Sequence, residues 1–409
     1  MRYRLLLGLT LAMMTLFSVF IATPANATQP ASPVRPTQMA ATAPTAAATV
    51  PAGDCRTVTA ATNHRRLAAA ANAGRRAVGC VAFTAPKTVT APGMHAAVIP
   101  APSWCGNGQW LFVRTDACGV FRWVLTVYEI DQNGNIVGVI GQMNGNVVDY
   151  AYTSVDISTW AFQVSIQTLG GWGEVLNTQA SGSAACTGDC NLNNSNFPSQ
   201  AVTFGGFVNG DSSYNTTDTA PGAVGYANSS FTWTFSNSAW AYSVSVTDTP
   251  PRVRCDNATP GKGVGCVFPD YQPTMVYSLS GPYPQLAQHI QAAQNSGLPT
   301  VLTRATDPNI NDANRATACP DSYPRPDGFS CDEYPFASTY QGAIFTGGGP
   351  RTWDWCQLDI GQPNSTGSSG YSVCMIDAGQ NSGGGSALGS FYGGNRVIDH
   401  DPFAVAITP

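Results

Sequence analysis

Residues 331–339 read CDEYPFAST and set two carboxylates, Asp332 and Glu333, side by side between a cysteine and an aromatic run. Acids are sparse in this chain: Asp and Glu together number 24 in 409 residues. A carboxylate can serve as a general base or ligate a hard cation such as Mg2+ or Mn2+. On an extended strand, adjacent side chains point to opposite faces. The two acids therefore cannot flank one bond, which excludes the facing pair that a glycosidase holds roughly 5 to 9 Å apart. One carboxylate is left for chemistry and the other to hold an arginine or a backbone amide. An ordinary acidic pair in a surface loop after a disulfide fits the same residues.

Other groups with chemical potential are scattered. Arg304, Arg315 and Arg351, with Arg396 behind them, could contact phosphate, because a guanidinium donates two hydrogen bonds in a planar fork. Each could equally pair with a local acid. His64, His95, His289 and His400 lie far apart; His289 stands beside Ile290, and His400 between Asp399 and Asp401. Cys186 and Cys190 form a close pair with no second pair or histidine at zinc-ligand spacing. No G-x-S-x-G turn sits in a strand–turn–helix context, and there is no phosphate-cradling P-loop.

The elements that must position these residues fall into two patterns. Over 104–250 the chain alternates. In WAFQVSIQTL, Trp160, Phe162, Val164 and Ile166 face one way; FTWTFS repeats this with Phe231, Trp233 and Phe235, and WAYSVSV with Trp240, Tyr242, Val244 and Val246. Period two with one wet face predicts antiparallel strands, a β-sandwich of roughly eight, with these aromatics in its core rather than stacked on sugars. Pro250-Pro251 and the Gly/Pro-rich stretch after it mark a boundary. Beyond it, Pro284, then Leu286, Ala287, Ile290 and Ala293, then Gly297 predict a helix over 284–296. YSVCMID (371–377) and DPFAVAI (401–407) read as strands, and 381–394 as a glycine-rich stretch with one or two helical turns around Ser386–Tyr392.

The N-terminus bounds the compartment. Arg2 and Arg4 precede an apolar run to Ala22, and ANA at 25–27 has the small-x-small cleavage pattern, so 1–27 read as a signal peptide and the protein as secreted, with no stable membrane insertion after cleavage. Twelve cysteines then suggest disulfides, taken as nearest neighbours: Cys55/Cys80, Cys105/Cys118, Cys186/Cys190, Cys255/Cys266, Cys319/Cys331 and Cys356/Cys374. Residues 28–53 are an Ala/Thr/Pro segment expected to be a disordered linker. Residues 54–103 form a small basic disulfide-containing piece with a helix near 60–78. The 252–409 region carries eight bases against thirteen acids, which argues against tight binding to a polyanion.

CDEYPFAST, the glycines at 347–349, the Asn-x-Gly-x-Gly-Ser stretch from Asn381 to Ser386 and the DPFAVAI finish resemble the NucA/NucB family of secreted bacterial deoxyribonucleases. QHIQAAQNSGLPTVLTR (288–304) and NRATACP (314–320) are similar to the family's approach to its acidic motif. The resemblance covers about 255–409 and implies a compact α+β domain of the ββα-metal type, with a divalent metal, Mg2+ or Mn2+, and DNA as substrate. It points to Asp332 as base, Glu333 as second carboxyl or metal ligand, and Asn381 as the helix-side metal or substrate contact. No Asp or Glu lies in 381–396, so Asp377 is the substitute ligand, and Ser386 contacts phosphate or caps the short helix.

The expected protein is multidomain: an N-terminal β-sandwich-like domain (104–250) and a C-terminal nuclease-like domain (255–409). Its expected activity is metal-dependent endonucleolytic cleavage of DNA without sequence specificity. The β-rich part would contact cell wall or polysaccharide, and an immunity protein would accompany a toxic role. The alternative is a secreted glycan- or wall-binding or structural protein with a degenerate nuclease domain.

Overall fold

The alternating segments pair into two sheets that enclose one aromatic core. The structure is a computed structural model describing residues 43–47, 55–58, 63–84, 99–360 and 365–409. The expected signal peptide, most of the 28–53 linker and His95 lie outside the described residues. Thr45–Ala47, inside that linker, pairs antiparallel with Trp110–Phe112.

Among the described residues the larger sheet has nine strands and the smaller six; eleven of the fifteen fall within 104–250, where roughly eight were expected. The long members of the larger sheet are Asp116–Ile130, Ile136–Tyr152 and Thr159–Gly173, paired antiparallel in sequence. The smaller sheet is centred on Val224–Ser236. The predicted inward faces meet between the sheets: Trp160, Phe162, Val164 and Ile166 from one pack with Phe231, Trp233 and Phe235 from the other. Tyr242 departs from its expected face; its hydroxyl donates to the Arg66 carbonyl at 2.5 Å, and the Arg66 guanidinium lies over its ring.

The boundary sits later than Pro250-Pro251 suggests. Val253–Asp256 and Gly265–Val267 are strands of the smaller sheet, and Cys255, Cys266, Phe268 and Tyr271 belong to the sandwich core. All six cysteine pairs close as nearest neighbours. They fit an oxidising compartment. No helix among the described residues is long and apolar enough to cross a membrane.

The C-terminal region is built from two small sheets and three helices. Thr274–Ser278 runs parallel to Pro402–Thr408, which pairs antiparallel with Val301–Thr303. Phe329–Tyr334, the acidic strand, pairs antiparallel with Tyr371–Asp377. The chain then passes directly into the helix Ala378–Gly394. The helix Pro284–Asn295 forms as predicted, burying Leu286, Ala287, Ile290 and Ala293, and Gly297 follows it at φ +103°.

The Ala378–Gly394 helix is much longer than one or two turns. Each glycine within a helix costs about 1 kcal/mol relative to alanine, so propensity argues against it. Packing overrides propensity here. Asp377 caps the N-terminus by accepting from the Gln380 amide, and Leu388, Phe391 and Tyr392 are buried. A Cβ at Gly384 would lie 2.0 Å from Leu286 Cδ2, and one at Gly383 would lie 2.4 Å from the Tyr283 ring. The glycines thus let the helix approach Pro284–Asn295 closely. Reciprocal side-chain bonds tie the two helix starts: the Gln285 amide donates to Gln380 Oε1, and the Asp377 amide to Gln285 Oε1.

A buried charge cluster joins the sandwich to this region. Arg114 and Arg254 from the sandwich reach the Asp401 carboxylate at 3.1 and 2.7 Å. Arg396 reaches back to Asp256 at 2.7 Å and to the Val155 carbonyl at 2.6 Å. Burial pushes the Asp256 carboxyl up, but hydrogen bonds from Arg396 and the charge of Arg254 hold it below the usual range. Burial and the neighbouring Arg254 bring the Arg114 guanidinium down to about 10, as three arginines facing two carboxylates would require.

Candidate active site

The acidic strand forms part of the wall of a cavity of about 650 Å³. Asp332, Glu333, Asn381, Arg304 and Arg315 all line it, so the structure gathers five of the residues singled out from sequence. The strand period holds. Asp332 faces the Pro284–Asn295 helix, where its Oδ2 lies 2.5 Å from His289 Nδ1. Glu333 faces the other way, with its Oε2 3.7 Å from Cys319 Sγ at the end of the Pro308–Ala318 helix. The two acids thus do not flank one bond, yet both border the same space.

His289 is the residue that sequence reasoning passed over. It is fully buried, and its Nδ1 and the Asp332 carboxylate share one hydrogen bond. Its Nε2 has no hydrogen-bond partner among the described residues, and the Trp353 ring packs at 5.9 Å. The signal was present: position 289 is three residues after Leu286 and four before Ala293, on the buried stripe of a helix. A histidine there needs a polar partner, and the nearby carboxylate supplies it.

Asn381 ties the glycine-rich helix to the acidic strand. Its Nδ2 donates to Ser330 Oγ at 3.0 Å and to the Cys331 carbonyl at 2.9 Å. With both amide hydrogens engaged, the carbonyl oxygen is the acceptor left over. Glu333 sits under electrostatic stress. Burial, then the charge of Asp332, push its carboxyl up to about 8, while Arg315 pulls the other way. Arg304 lies with its guanidinium 3.5 Å from the Tyr392 ring centre, and its Nε has no hydrogen-bond partner among the described residues. Arg315 is largely exposed, 3.5 Å from Asp312.

Four sequence candidates lie elsewhere. Arg351 is buried and bonds the carbonyls of Ser296, Gly367 and Ser369, which makes it a brace for that loop and not a phosphate contact. Ser386 is exposed and donates to the Ser382 carbonyl one turn back in mid-helix, so it neither caps nor lines the cavity. Asp377 is spent on the helix cap. Arg396 is buried in the charge cluster.

The donor set suits a sparsely held hard ion. No group of three His, Cys, Asp or Glu gathers for a metal among the described residues. The carboxylates that border the cavity are Asp312, Asp321, Asp332 and Glu333, with the Asn311 and Asn381 amides beside them and three arginines, Arg304, Arg315 and Arg325. Mg2+ is commonly held by one or two carboxylates plus substrate phosphate while keeping several waters. The stress on Glu333 is also of the kind that a cation would relieve.

An antiparallel strand pair running into a helix, with acids and arginines around one polar cavity, is an arrangement suited to hydrolysis at phosphorus. The C-terminal region is a nuclease-family domain: residues 290–406 match the family model Deoxyribonuclease NucA/NucB. The match includes every cavity-lining candidate and none of the sandwich. No curated protein and no solved structure matches the chain.

Proposed function

We propose that the protein is a secreted, metal-dependent DNA endonuclease without sequence specificity, acting at the cavity bordered by Asp332. The observation that carries this reading is the convergence on one cavity of a buried, histidine-held carboxylate, an amide from the glycine-rich helix and three arginines. Asp332 is the base: His289 engages one of its oxygens, and the other takes the proton of the attacking water. Asn381 and Glu333 would hold the divalent ion, Mg2+ or Mn2+, which supplies charge stabilisation at the phosphate and the leaving oxygen. Arg304 and Arg315 orient the substrate phosphates, and the arginine fork carries no base information.

The region's excess of acids over bases favours loose, salt-sensitive binding over a tight grip on a particular site. Secretion is supported by the six disulfides together with the leader-like N-terminus. A degenerate, non-catalytic domain is the competing reading. The opening of Asp332 and Glu333 onto a polar cavity that also carries arginines argues against it. The test is nicking of supercoiled plasmid by the full chain with Mg2+ or Mn2+ and then with a chelator. Metal-dependent nicking that Asp332→Asn abolishes is the expected result; no nicking with either ion would reject the proposal.

A further inference from the structure

We infer that His400 and Tyr340 form a base-stacking step at the cavity rim, which takes one unpaired nucleobase of the substrate strand; the inference rests on the nuclease reading above. The two rings are parallel within 3°, with centroids 4.5 Å apart. The Tyr340 hydroxyl donates to the Asp399 carboxylate at 3.2 Å, and His400 Nε2 lies 3.4 Å from the same group. Phe345 packs at the Tyr340 ring, 5.7 Å between centroids, and is itself 47% exposed. The His400 side chain is 73% exposed, so the stack presents a ring to solvent.

The backbone holds this exposed ring in place. His400 has φ +64°, in the left-handed region that residues other than glycine seldom occupy. Its amide donates to the Arg304 carbonyl at 2.9 Å, and the Arg304 amide donates to the Asp401 carbonyl at 2.9 Å. The Tyr340 amide donates to the carbonyl of Thr303 at 3.0 Å. The stack is therefore fixed directly to the segment carrying Arg304, a residue of the cavity lining.

The chemistry selects the occupant. Asp399 beside the rings repels phosphate, so the backbone of a nucleic acid would lie toward Arg304 and Arg315, and the uncharged base toward the rings. A paired base inside a duplex has both faces covered by its neighbours, so the occupant is an unpaired base, as in a single strand or a frayed end. Every base has a π-face, so stacking of this kind adds affinity without adding sequence preference.

Binding tests this directly. The full chain carrying Asp332→Asn, which blocks cleavage, is titrated with a labelled short oligothymidylate and with an abasic strand of equal length and charge. The intact strand is expected to bind roughly tenfold more tightly. His400→Asn, which tolerates the left-handed backbone, and Tyr340→Leu should each remove most of that ratio, and His400→Phe should restore it. Equal affinity for the two strands, failure to bind either, or a ratio unchanged in both ring-deleting variants would overturn the stack. A ratio lost in His400→Phe as well as His400→Asn would overturn it too, since a hydrogen bond from the imidazole to the base, and not a stacked ring, would then be responsible. Plasmid nicking by the unsubstituted chain is scored alongside. Nicking without a base-dependent ratio sinks only the stack, whereas no nicking sinks the nuclease reading.

Discussion

In the sandwich, Asp149 and Asp248 are fully buried between the sheets. Asp248 accepts from the Trp233 indole at 2.5 Å, and Asp149 is within side-chain hydrogen-bond reach of Asp248, a contact that needs a proton on one of the two carboxyls. In the C-terminal region, Asp332 and Glu333 are also shielded, one held by His289 and the other pushed up to about 8. Perturbed acids therefore occur in both regions. What separates them is access and company. The sandwich pair lies among aromatic side chains, whereas Asp332 and Glu333 border a cavity that also carries arginines and an amide. A carboxyl with an unusual pKa is thus a weak marker of a site, and one that opens on a polar cavity is a stronger one.

The largest expected effects test that contrast. Asp332→Asn should lower plasmid nicking by at least about a hundredfold, since loss of a positioned base typically costs 10²–10⁴. Asp149→Asn should leave nicking unchanged. Loss of activity in both would show that the sandwich pair bears on catalysis and would break the comparison. His289→Phe should reduce kcat roughly 10- to 100-fold, the usual effect of removing an outer partner of a site residue, with KM for DNA little changed. A rise in KM at constant kcat would instead make His289 a packing residue that shapes binding.

The second contrast concerns the joint between the regions. Asp256 is the shared partner of Arg254 and Arg396, all three fully buried. Asp256→Ala leaves three arginines facing Asp401 alone and should cost about 3 to 5 kcal/mol in denaturant unfolding. Arg254→Met leaves Arg114 with Asp401 and Arg396 with Asp256, each still paired, and should cost clearly less. Equal losses would mean that packing, not charge balance, holds the joint. Asp401 also accepts the Arg304 amide, so loosening the joint should impair nicking as well.

How much of this could be read from the sequence follows from the range of the forces involved. The sandwich strands were legible because alternation is local, and Trp160, Phe162 and Ile166 each mark a face without reference to the rest of the chain. The nearest-neighbour disulfides and the Pro284–Asn295 helix were legible for the same reason. The Ala378–Gly394 helix was not, because its glycines answer to Leu286 and Tyr283, almost a hundred residues away. Arg351 and Arg396 were candidates for phosphate because a guanidinium's partners are invisible in sequence, and here they are carbonyls and Asp256. His289 lay on a predicted apolar stripe but gained its meaning only when the acidic strand came alongside. The joint with the sandwich left no trace in the composition shift after Pro251, since Val253–Asp256 continues the smaller sheet past it.

The smallest effect sharpens the comparison from the sandwich side. Burial pushes the Asp248 carboxyl up to about 7, and burial together with the charge of Asp248 pushes Asp149 well above the ordinary range. In the unfolded chain both ionise near pH 3.9. Between those limits the native state holds protons that the unfolded state has released, so stability is highest below about pH 4 with respect to this pair and falls as pH rises toward 7. One such proton corresponds to a slope of about 1.4 kcal/mol per pH unit. Urea unfolding at a few pH values between 4.5 and 6.5 should show this fall, and Asp149→Asn should flatten it by removing one titrating group. An unchanged slope in that variant would mean that the pair does not hold its proton.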